Sequence, residues 1–254
     1  MPRSASTSPT SARSAPEVTA VVDALTAMVD GAFHVVDEIA GLVRQQLAPP
    51  SAPTRSRLVG VDALAGSFVG DPSHPVRGAG FVAAVGFLTD QPWWLEWFAQ
   101  GEDGRSHRMV SQTDPDGAGF YDYEFLPWYL VPRDTRRRHI TGPYIDYVCT
   151  DDYNMTYTAP VLIDDRFAGV AGADIGVQTA ETILMPALRA ATQPLAVVNQ
   201  QGRIVASNSG RHLCGDLVTG IEVSELWTHP ASGGLHVLPD LPLGVLELRS
   251  SSTA

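Results

Sequence analysis

The middle of the chain carries aromatic and acidic side chains that together could hold a small positively charged molecule. The faces of aromatic rings attract cations by about 0.5 to 2 kcal/mol each, and a buried carboxylate needs a charged partner to offset its desolvation. These residue types therefore indicate a site for an amine. The predicted ligand-binding residues are Trp94, Tyr121, Glu124, Trp128, Tyr129, Tyr144, Asp146 and Asp174.

Asp174 is the strongest of these candidates, because a charge that closes an otherwise apolar strand is seldom buried without a partner. Trp94 alternates with Trp93 and Trp97, so at least one of the three rings faces the other side of a strand and is structural. A position in the hydrophobic core explains the other aromatic candidates as well as a ligand site does. A position in a turn or on the surface explains Glu124 and Asp146 as well as a ligand site does.

The sequence contains none of the common catalytic or nucleotide-binding motifs. Absent are the G-x-S-x-G elbow, the H-E-x-x-H zinc motif, the phosphate-binding G-x-x-x-x-G-K-[ST] loop and the dinucleotide fingerprint. Asp146, Asp151 and Asp152 offer oxygen ligands, but their spacing matches no calcium loop. We therefore predict no catalytic residue, no cofactor and no metal. An enzyme that uses the acidic pocket for acid and base catalysis on an amine is kept as an alternative.

The charge of the chain argues against nucleic acid as a partner. The formal net charge of -11 repels a phosphate backbone. The basic cluster of Arg133 and residues 136–138 is short, and we interpret it as a solvated loop or helix end. Cys149 and Cys214 show no metal-ligand spacing, and a disulfide between them is unsupported.

Residues 1–16 are rich in Ser, Thr, Ala and Pro and predict a disordered tail without the apolar core of a signal peptide. No run of about 20 uncharged apolar residues predicts a membrane span. We therefore expect a cytoplasmic protein that does not contact the membrane.

A long amphipathic helix is predicted from Val18 to Leu47, where apolar residues recur every three or four positions. Prolines at 49, 50 and 53 end it. At 1.5 Å per residue it is about 45 Å long, longer than a small domain needs. We expect its free face to form a homodimer.

Strands and a second helix follow, and the stretch 111–156, which lacks periodicity, is expected to form loops that roof the pocket. A helix is predicted from Thr179 to Ala191, and the hairpins contain small residues that leave room beside the sheet. The predicted strands are 81–88, 93–98, 155–163, 167–175, 195–198, 204–206, 235–238 and 245–248.

The order of these segments, from about residue 20 to 206, resembles the Cache family of extracytoplasmic sensor domains. The segments that carry the resemblance are Gly80-Phe81, Tyr121, Leu126-Pro127-Trp128-Tyr129, Gly142-Pro143-Tyr144-Ile145-Asp146, Tyr157-Thr158-Ala159-Pro160-Val161 and Gly169-Val170-Ala171-Gly172-Ala173-Asp174-Ile175. Residues 195–206 are similar to the first hairpin of the second module in double Cache proteins.

The resemblance implies an α/β (α+β) fold of the Cache or PAS-like kind, with an antiparallel sheet of five or six strands, a long N-terminal helix and a small second subdomain. The domain boundaries expected from it are a tail at 1–16, the ligand-binding domain at 17–193 and a degenerate second Cache-like subdomain at 194–254. It also implies a sensor that is not an enzyme. We expect an unidentified regulatory protein to act as its partner in trans.

Cache domains that bind amino acids carry a tyrosine, an arginine, a Trp-Tyr pair and an aspartate, and Tyr121, Trp128, Tyr129 and Asp174 match four of these positions. The arginine position holds Leu126, which cannot clamp a carboxylate. The resemblance therefore points to the branch that recognises polyamines, monoamines and quaternary amines. Two alternatives stay open: an amino-acid-binding domain in which Arg133 or another arginine replaces the clamp, and a protein whose pocket is filled by its own side chains.

Overall fold

A computed structural model describes residues 16–145, 153–230 and 233–248. The predicted tail, except for its last residue, lies outside them. Five helices are described, together with a 3-10 turn at Arg55–Arg57: α1 Pro16–Leu47, α2 Val61–Gly70, α3 Pro127–Thr135, α4 Val177–Ala190 and α5 Val223–Leu226. The strands are β1 Gly78–Ala83, β2 Leu95–Gln100, β3 Ser106–Arg108, β4 His139–Ile145, β5 Tyr153–Ile163, β6 Arg166–Gly176, β7 Leu195–Asn199, β8 Ile204–Ser207, β9 Leu235–Val237 and β10 Leu243–Glu247.

The first six strands form one antiparallel sheet in the order β3-β2-β1-β6-β5-β4, and this confirms the expected sheet of five or six strands. Its two central strands are β1 and β6, and β6 forms a long hairpin with β5. The two residues of its turn, Asp164 and Asp165, have φ angles of 47° and 59°, which aspartate tolerates better than most side chains. This hairpin sets the register opposite Asp174.

Helix α1 covers one face of the sheet, as its spacing of apolar residues predicts. Its buried side chains include Leu25, Phe33 and Ile39, all at most 2% exposed. They join β1, β5 and β6 side chains such as Phe81 and Tyr157 in the main hydrophobic core. The opposite face of the sheet is therefore left for a separate cluster, which contains the candidate site.

By length and composition, α1 could also cross a membrane, and among the described residues it is the one helix that could. The helix contains no run of about 20 uncharged residues, because Asp23, Asp30 and Asp37 interrupt it, but it meets this looser criterion of length and mean hydropathy. In the folded domain, 44% of its most apolar 18-residue stretch is buried. Burial of this kind is also typical of the core helix of a globular domain.

The stretch 111–156 is more regular than its lack of periodicity predicts. It contains α3, which begins with Pro127 at its first position and is followed by Arg136 in the left-handed conformation, and the edge strand β4. A nine-residue helix is too short to show a clear 3.6-residue pattern. In β4 the period of two is broken by a bulge between Thr141 and Tyr144. Helix α2 was also not predicted.

The last strands form a second antiparallel sheet, in the order β8-β7-β10-β9, close to the strand positions predicted from sequence. It has its own apolar cluster, which includes Val198, Ile204 and Leu246. The buried Asn199 links the two sheets, because its Nδ2 donates to the carbonyl oxygen of Gly142 in β4 at 2.8 Å. The assignment of 194–254 to a degenerate second Cache-like subdomain stays a prediction.

Candidate functional site

The face of the large sheet opposite α1 carries a small cavity. Strand alternation places side chains of β1, β2, β5 and β6 on this face, and the segment from Tyr121 to α3 closes over them. The space is about 20 Å³, enough for about one water molecule. It is lined by Val82, Leu95, Trp97, Tyr121, Trp128, Tyr144, Thr156 and Asp174.

Asp174 lies at the polar end of the cavity, 6% exposed. Thr156 lies directly opposite it on β5, and the Thr156 Oγ1 donates to Asp174 Oδ1 at 2.6 Å. The Tyr144 hydroxyl lies 2.8 Å from the same Thr156 oxygen. Because a threonine hydroxyl has one proton, Tyr144 must be the donor of that second bond. The result is a directed chain of hydrogen bonds that ends on a buried carboxylate.

Glycines of the sheet make room for the Trp97 ring. A Cβ on Gly172 would lie 2.8 Å from Trp97 Cη2. A Cβ on Gly78 would lie 2.9 Å from Trp97 Nε1 and 2.7 Å from Asp174 Oδ2. The absence of these two side chains lets the indole lie close against the strands, with its nitrogen at the Asp174 end. The expectation that small residues on β6 leave room beside the sheet is therefore confirmed at Gly172.

Behind the cavity, tyrosines form a tight aromatic wall. The Tyr123 hydroxyl donates to the carbonyl oxygen of Ala83 at 2.9 Å, and its ring lies 5.2 Å from that of Tyr129. Tyr129 also contacts Phe167 edge-on, with 5.6 Å between the ring centres. Burial raises the pKa of Tyr129 to about 12 and that of Tyr123 further. Tyr129 therefore packs behind the residues that line the cavity and does not line the cavity itself.

Four of the predicted ligand-binding residues line the cavity together: Tyr121, Trp128, Tyr144 and Asp174. Each is supplied by a different element or loop, so only the tertiary fold brings them into contact. Asp146 lies outside the described residues.

Two predicted residues lie elsewhere, which corrects their assignment. Trp94 belongs to the core on the α1 side of the sheet, where the guanidinium carbons of Arg55 and Arg108 lie 4.1 Å and 5.3 Å from the centre of its ring. Glu124 is partly exposed, with its Oε1 3.9 Å from the Arg133 Nη1. The Trp94 ring faces the α1 side of the sheet, and the Glu124 carboxylate lies near Arg133 of α3. Neither lines the cavity.

Four residues that line the cavity were not predicted from the sequence: Val82, Leu95, Trp97 and Thr156. Alternation along β2 puts Leu95 and Trp97 on one face and Trp94 on the other. The sequence therefore indicates that these side chains face opposite sides of the sheet, but it does not indicate which side carries the cavity. Thr156 is identified only by its pairing with Asp174, which depends on the register of β5 against β6.

No lysine or arginine is among the described residues that line the cavity. Arg133 does not replace the missing clamp, since its Nε bonds Asp134 Oδ1 at 2.8 Å. The neighbouring arginines pair with acids as well: Arg137 with Asp240 and Arg138 with Asp37. These two arginines are 72% and 48% exposed, so this part of the basic cluster lies at the surface, as the sequence predicts.

Within the described ranges, no group of three or more His, Cys, Asp or Glu residues could hold a metal ion. The aspartates considered for calcium, at 146, 151 and 152, lie outside those ranges, as does Cys149. Cys214 is a free thiol. Burial, together with Glu181 and Asp216, raises its pKa to about 11.

Comparison with known proteins identifies the type of fold. A sequence model of the family described as "Methyl-accepting chemotaxis protein-like, first PDC sensor domain" matches residues 98–181, less than half of the chain. No curated protein sequence matches this chain.

Solved structures match most of the chain. The extracellular domain of the histidine kinase soHK1S-Z6 matches with a TM-score of 0.62 at 13% identity, over 91% of this chain and 90% of its own. The ligand-binding domain of the Pseudomonas aeruginosa PAO1 amino acid chemoreceptor PctC, in complex with GABA, matches with 0.54 at 17% identity, over 91% and 96%. That of the Pseudomonas fluorescens chemoreceptor CtaA, in complex with L-valine, matches with 0.57 at 14% identity, over 93% and 95%.

The chain thus has the α/β fold of PDC or Cache-type sensor domains, as predicted. At these identities the likeness establishes the fold alone. The expectation of a cytoplasmic location finds no support, since the kinase match is described as an extracellular domain.

Proposed function

We propose that this chain is the ligand-binding part of a sensor and holds its ligand through a protonated amino group. The observation that carries the proposal is the burial of Asp174, which is 6% exposed, at the polar end of a cavity walled by aromatic rings. An ammonium group offers three donors and a full charge to that carboxylate. The rings of Trp128, Tyr121 and Tyr144 add cation–π attraction.

The size of the cavity defines what binding must involve. About 20 Å³ holds a water molecule but no metabolite. A ligand the size of valine therefore requires the walls to open, and the segment that carries Tyr121 and Trp128 is the one that covers the sheet. A conformational change on binding is what a sensor needs to report its ligand.

Amino acids are the ligand class favoured by similarity, because two matched chemoreceptor domains hold GABA and L-valine. Amines without a carboxylate are the second candidate. Leu126 at the position of the carboxylate clamp favours them, as does the lack of a cation in the described lining. Both classes share the ammonium group, so the proposal rests on it.

Calorimetry with three matched ligands tests the proposal. L-valine, isobutylamine and isovalerate share a carbon skeleton but carry both charged groups, the amino group alone and the carboxylate alone. We expect binding of the first or second and none of the third. Preference for L-valine over isobutylamine selects the amino-acid class, and the reverse selects the amine class. Binding of isovalerate as tight as that of L-valine would overturn the proposal.

Asp174→Asn is the matching protein change, with Asp23→Asn on the exposed face of α1 as its control. Loss of the ammonium partner should weaken amine-containing ligands at least tenfold, whereas the control should bind as the unaltered chain does. Equal affinities in the two variants would contradict the role of Asp174. Turnover of an amine that is lost in Asp174→Asn, in a variant that still folds, would favour the enzyme alternative instead.

A homodimer through α1 remains a prediction, as does a regulatory protein partner. The outer face of α1 carries Asp23 and Asp30, both exposed. Like charges brought together across a two-fold axis repel and are screened by salt. Sedimentation at low and high ionic strength therefore tests the dimer, which should be favoured by added salt.

A further inference from the structure

The indole N–H of Trp97 is a buried donor without an acceptor. Trp97 is 5% exposed, and its Nε1 has no hydrogen-bond partner in the described part of the chain. Buried polar groups are nearly always paired, and an unpaired donor in the dry interior is costly. An unpaired donor in the wall of a ligand cavity points to an acceptor that is supplied by the ligand.

The surroundings of the ring hold this donor at a fixed place. The six-membered ring lies over Gly172 and the nitrogen lies over Gly78, within 3 Å of where their Cβ atoms would be. The same Gly78 position is 2.7 Å from Asp174 Oδ2. The donor of Trp97 and the carboxylate of Asp174 are therefore near neighbours at one end of the cavity, over a single glycine.

We propose that Trp97 selects ligands that carry a hydrogen-bond acceptor on the carbon next to the one that bears the amino group. This inference rests on the proposed function, since it places the ammonium group at Asp174. Trp97 Nε1 and Asp174 Oδ2 lie 2.9 Å and 2.7 Å from the same Gly78 Cβ position, so ligand groups on adjacent carbons can reach both. Amino acids, amino alcohols and amino amides have this arrangement, and plain amines do not.

A neutral indole N–H and a charged guanidinium favour different hydrogen-bond acceptors. It donates one hydrogen bond and brings no charge to balance a carboxylate. With Leu126 at the clamp position, Trp97 offers the acceptor a fully buried N–H that bonds nothing in the described part of the chain. A hydroxyl or amide oxygen should therefore serve as well as a carboxylate.

The test uses isobutylamine and L-valinol, which differ by one hydroxymethyl group. In the unaltered chain, L-valinol should bind about five- to tenfold more tightly, as expected for one hydrogen bond in a buried site. In Trp97→Phe, which lacks the N–H, that preference should fall to within about twofold. Trp93→Phe is the control, because Trp93 contacts Phe120 and Tyr123 and is not among the described lining residues; it should keep the preference.

Each outcome is decisive because the measured quantity is a ratio of two ligands on one protein. Equal affinities in the unaltered chain, or a preference that survives Trp97→Phe, would overturn the role of Trp97. If Asp174→Asn abolishes binding of both ligands while Trp97→Phe weakens them equally, the proposed function stands and this inference fails. If neither ligand binds the unaltered chain while L-valine does, the inference again fails. If none of the three binds, both fail.

Discussion

Thr156 and Thr158 provide a sharp test of the hydrogen-bond chain that ends on Asp174. The two threonines face the same side of β5 and are 3% and 0% exposed. Thr156 bonds Asp174 and Tyr144, whereas the hydroxyl of Thr158 has no partner in the described part of the chain. Valine has the same shape as threonine but lacks the hydroxyl, so the same change at two sites isolates the hydrogen bonds.

The expected magnitudes follow from what each change leaves behind. A hydrogen bond to a charged group contributes about 1.5 to 3 kcal/mol, and Thr156→Val also removes the bond between Thr156 and the Tyr144 hydroxyl. We expect Thr156→Val to lower the free energy of unfolding by about 2 to 4 kcal/mol. Thr158→Val removes a buried hydroxyl that bonds nothing in the described chain, so its effect should lie between about zero and a gain of 1 kcal/mol.

Urea unfolding, followed by circular dichroism at pH 7, measures both variants against the unaltered chain. Unchanged slopes of free energy against urea would show that the unfolded states are comparable. If the two variants lose stability equally, the bonds of Thr156 contribute nothing specific. The account of Asp174 as the end of an ordered chain would then be refuted.

Three further predictions concern the links around the site. Asn199→Asp keeps the acceptor of this buried side chain but removes the donor to Gly142, so the free energy of unfolding should fall by about 1 to 3 kcal/mol at pH 7. It should recover in part at pH 4, where the protonated acid donates again. Urea unfolding at both pH values checks this. Gly172→Ala should cost about 1 to 3 kcal/mol and weaken ligand binding, because its Cβ overlaps the Trp97 ring; a thermal shift as large as that of an exposed Gly→Ala change would contradict it. Because burial raises the pKa of Cys214 to about 11, its alkylation by iodoacetamide, in a chain whose other cysteine is serine, should accelerate about tenfold per pH unit from 8 to 10; a plateau near pH 9 would refute this.

Several elements could be predicted from the sequence because local patterns determine them. The apolar spacing of α1 is a property of consecutive residues, and it correctly predicted burial of residues such as Leu25 and Ile39. The hairpin of β5 and β6 follows from the predicted strands 155–163 and 167–175, which leave room for only a short turn between them. In the site, Asp174 stood out because a charge ends an apolar strand.

Other parts of the site depend on which strands become neighbours. Trp94 and Trp97 are equally aromatic, and the sequence could not say which faces the cavity, because that depends on which side of the sheet α1 covers. Strand β4 pairs through an irregular register around Gly142, which breaks the period that would have identified it. Leu95 and Val82 are apolar residues of predicted strands, and their sequence gives no sign that they line the cavity.

The sequence by itself determined the long helix, most of the strands and the kind of residue that the site would offer, because helix and strand periods and turn preferences act between residues close in the chain. The class of fold came from the resemblance of the sequence to the Cache family. Only the tertiary structure decided that Thr156 meets Asp174, that Trp97 lies over Gly78 and Gly172, and that no cation is among the described residues of the cavity wall. These contacts join strands far apart in sequence, and a shift of one residue in register would turn each side chain to the other face.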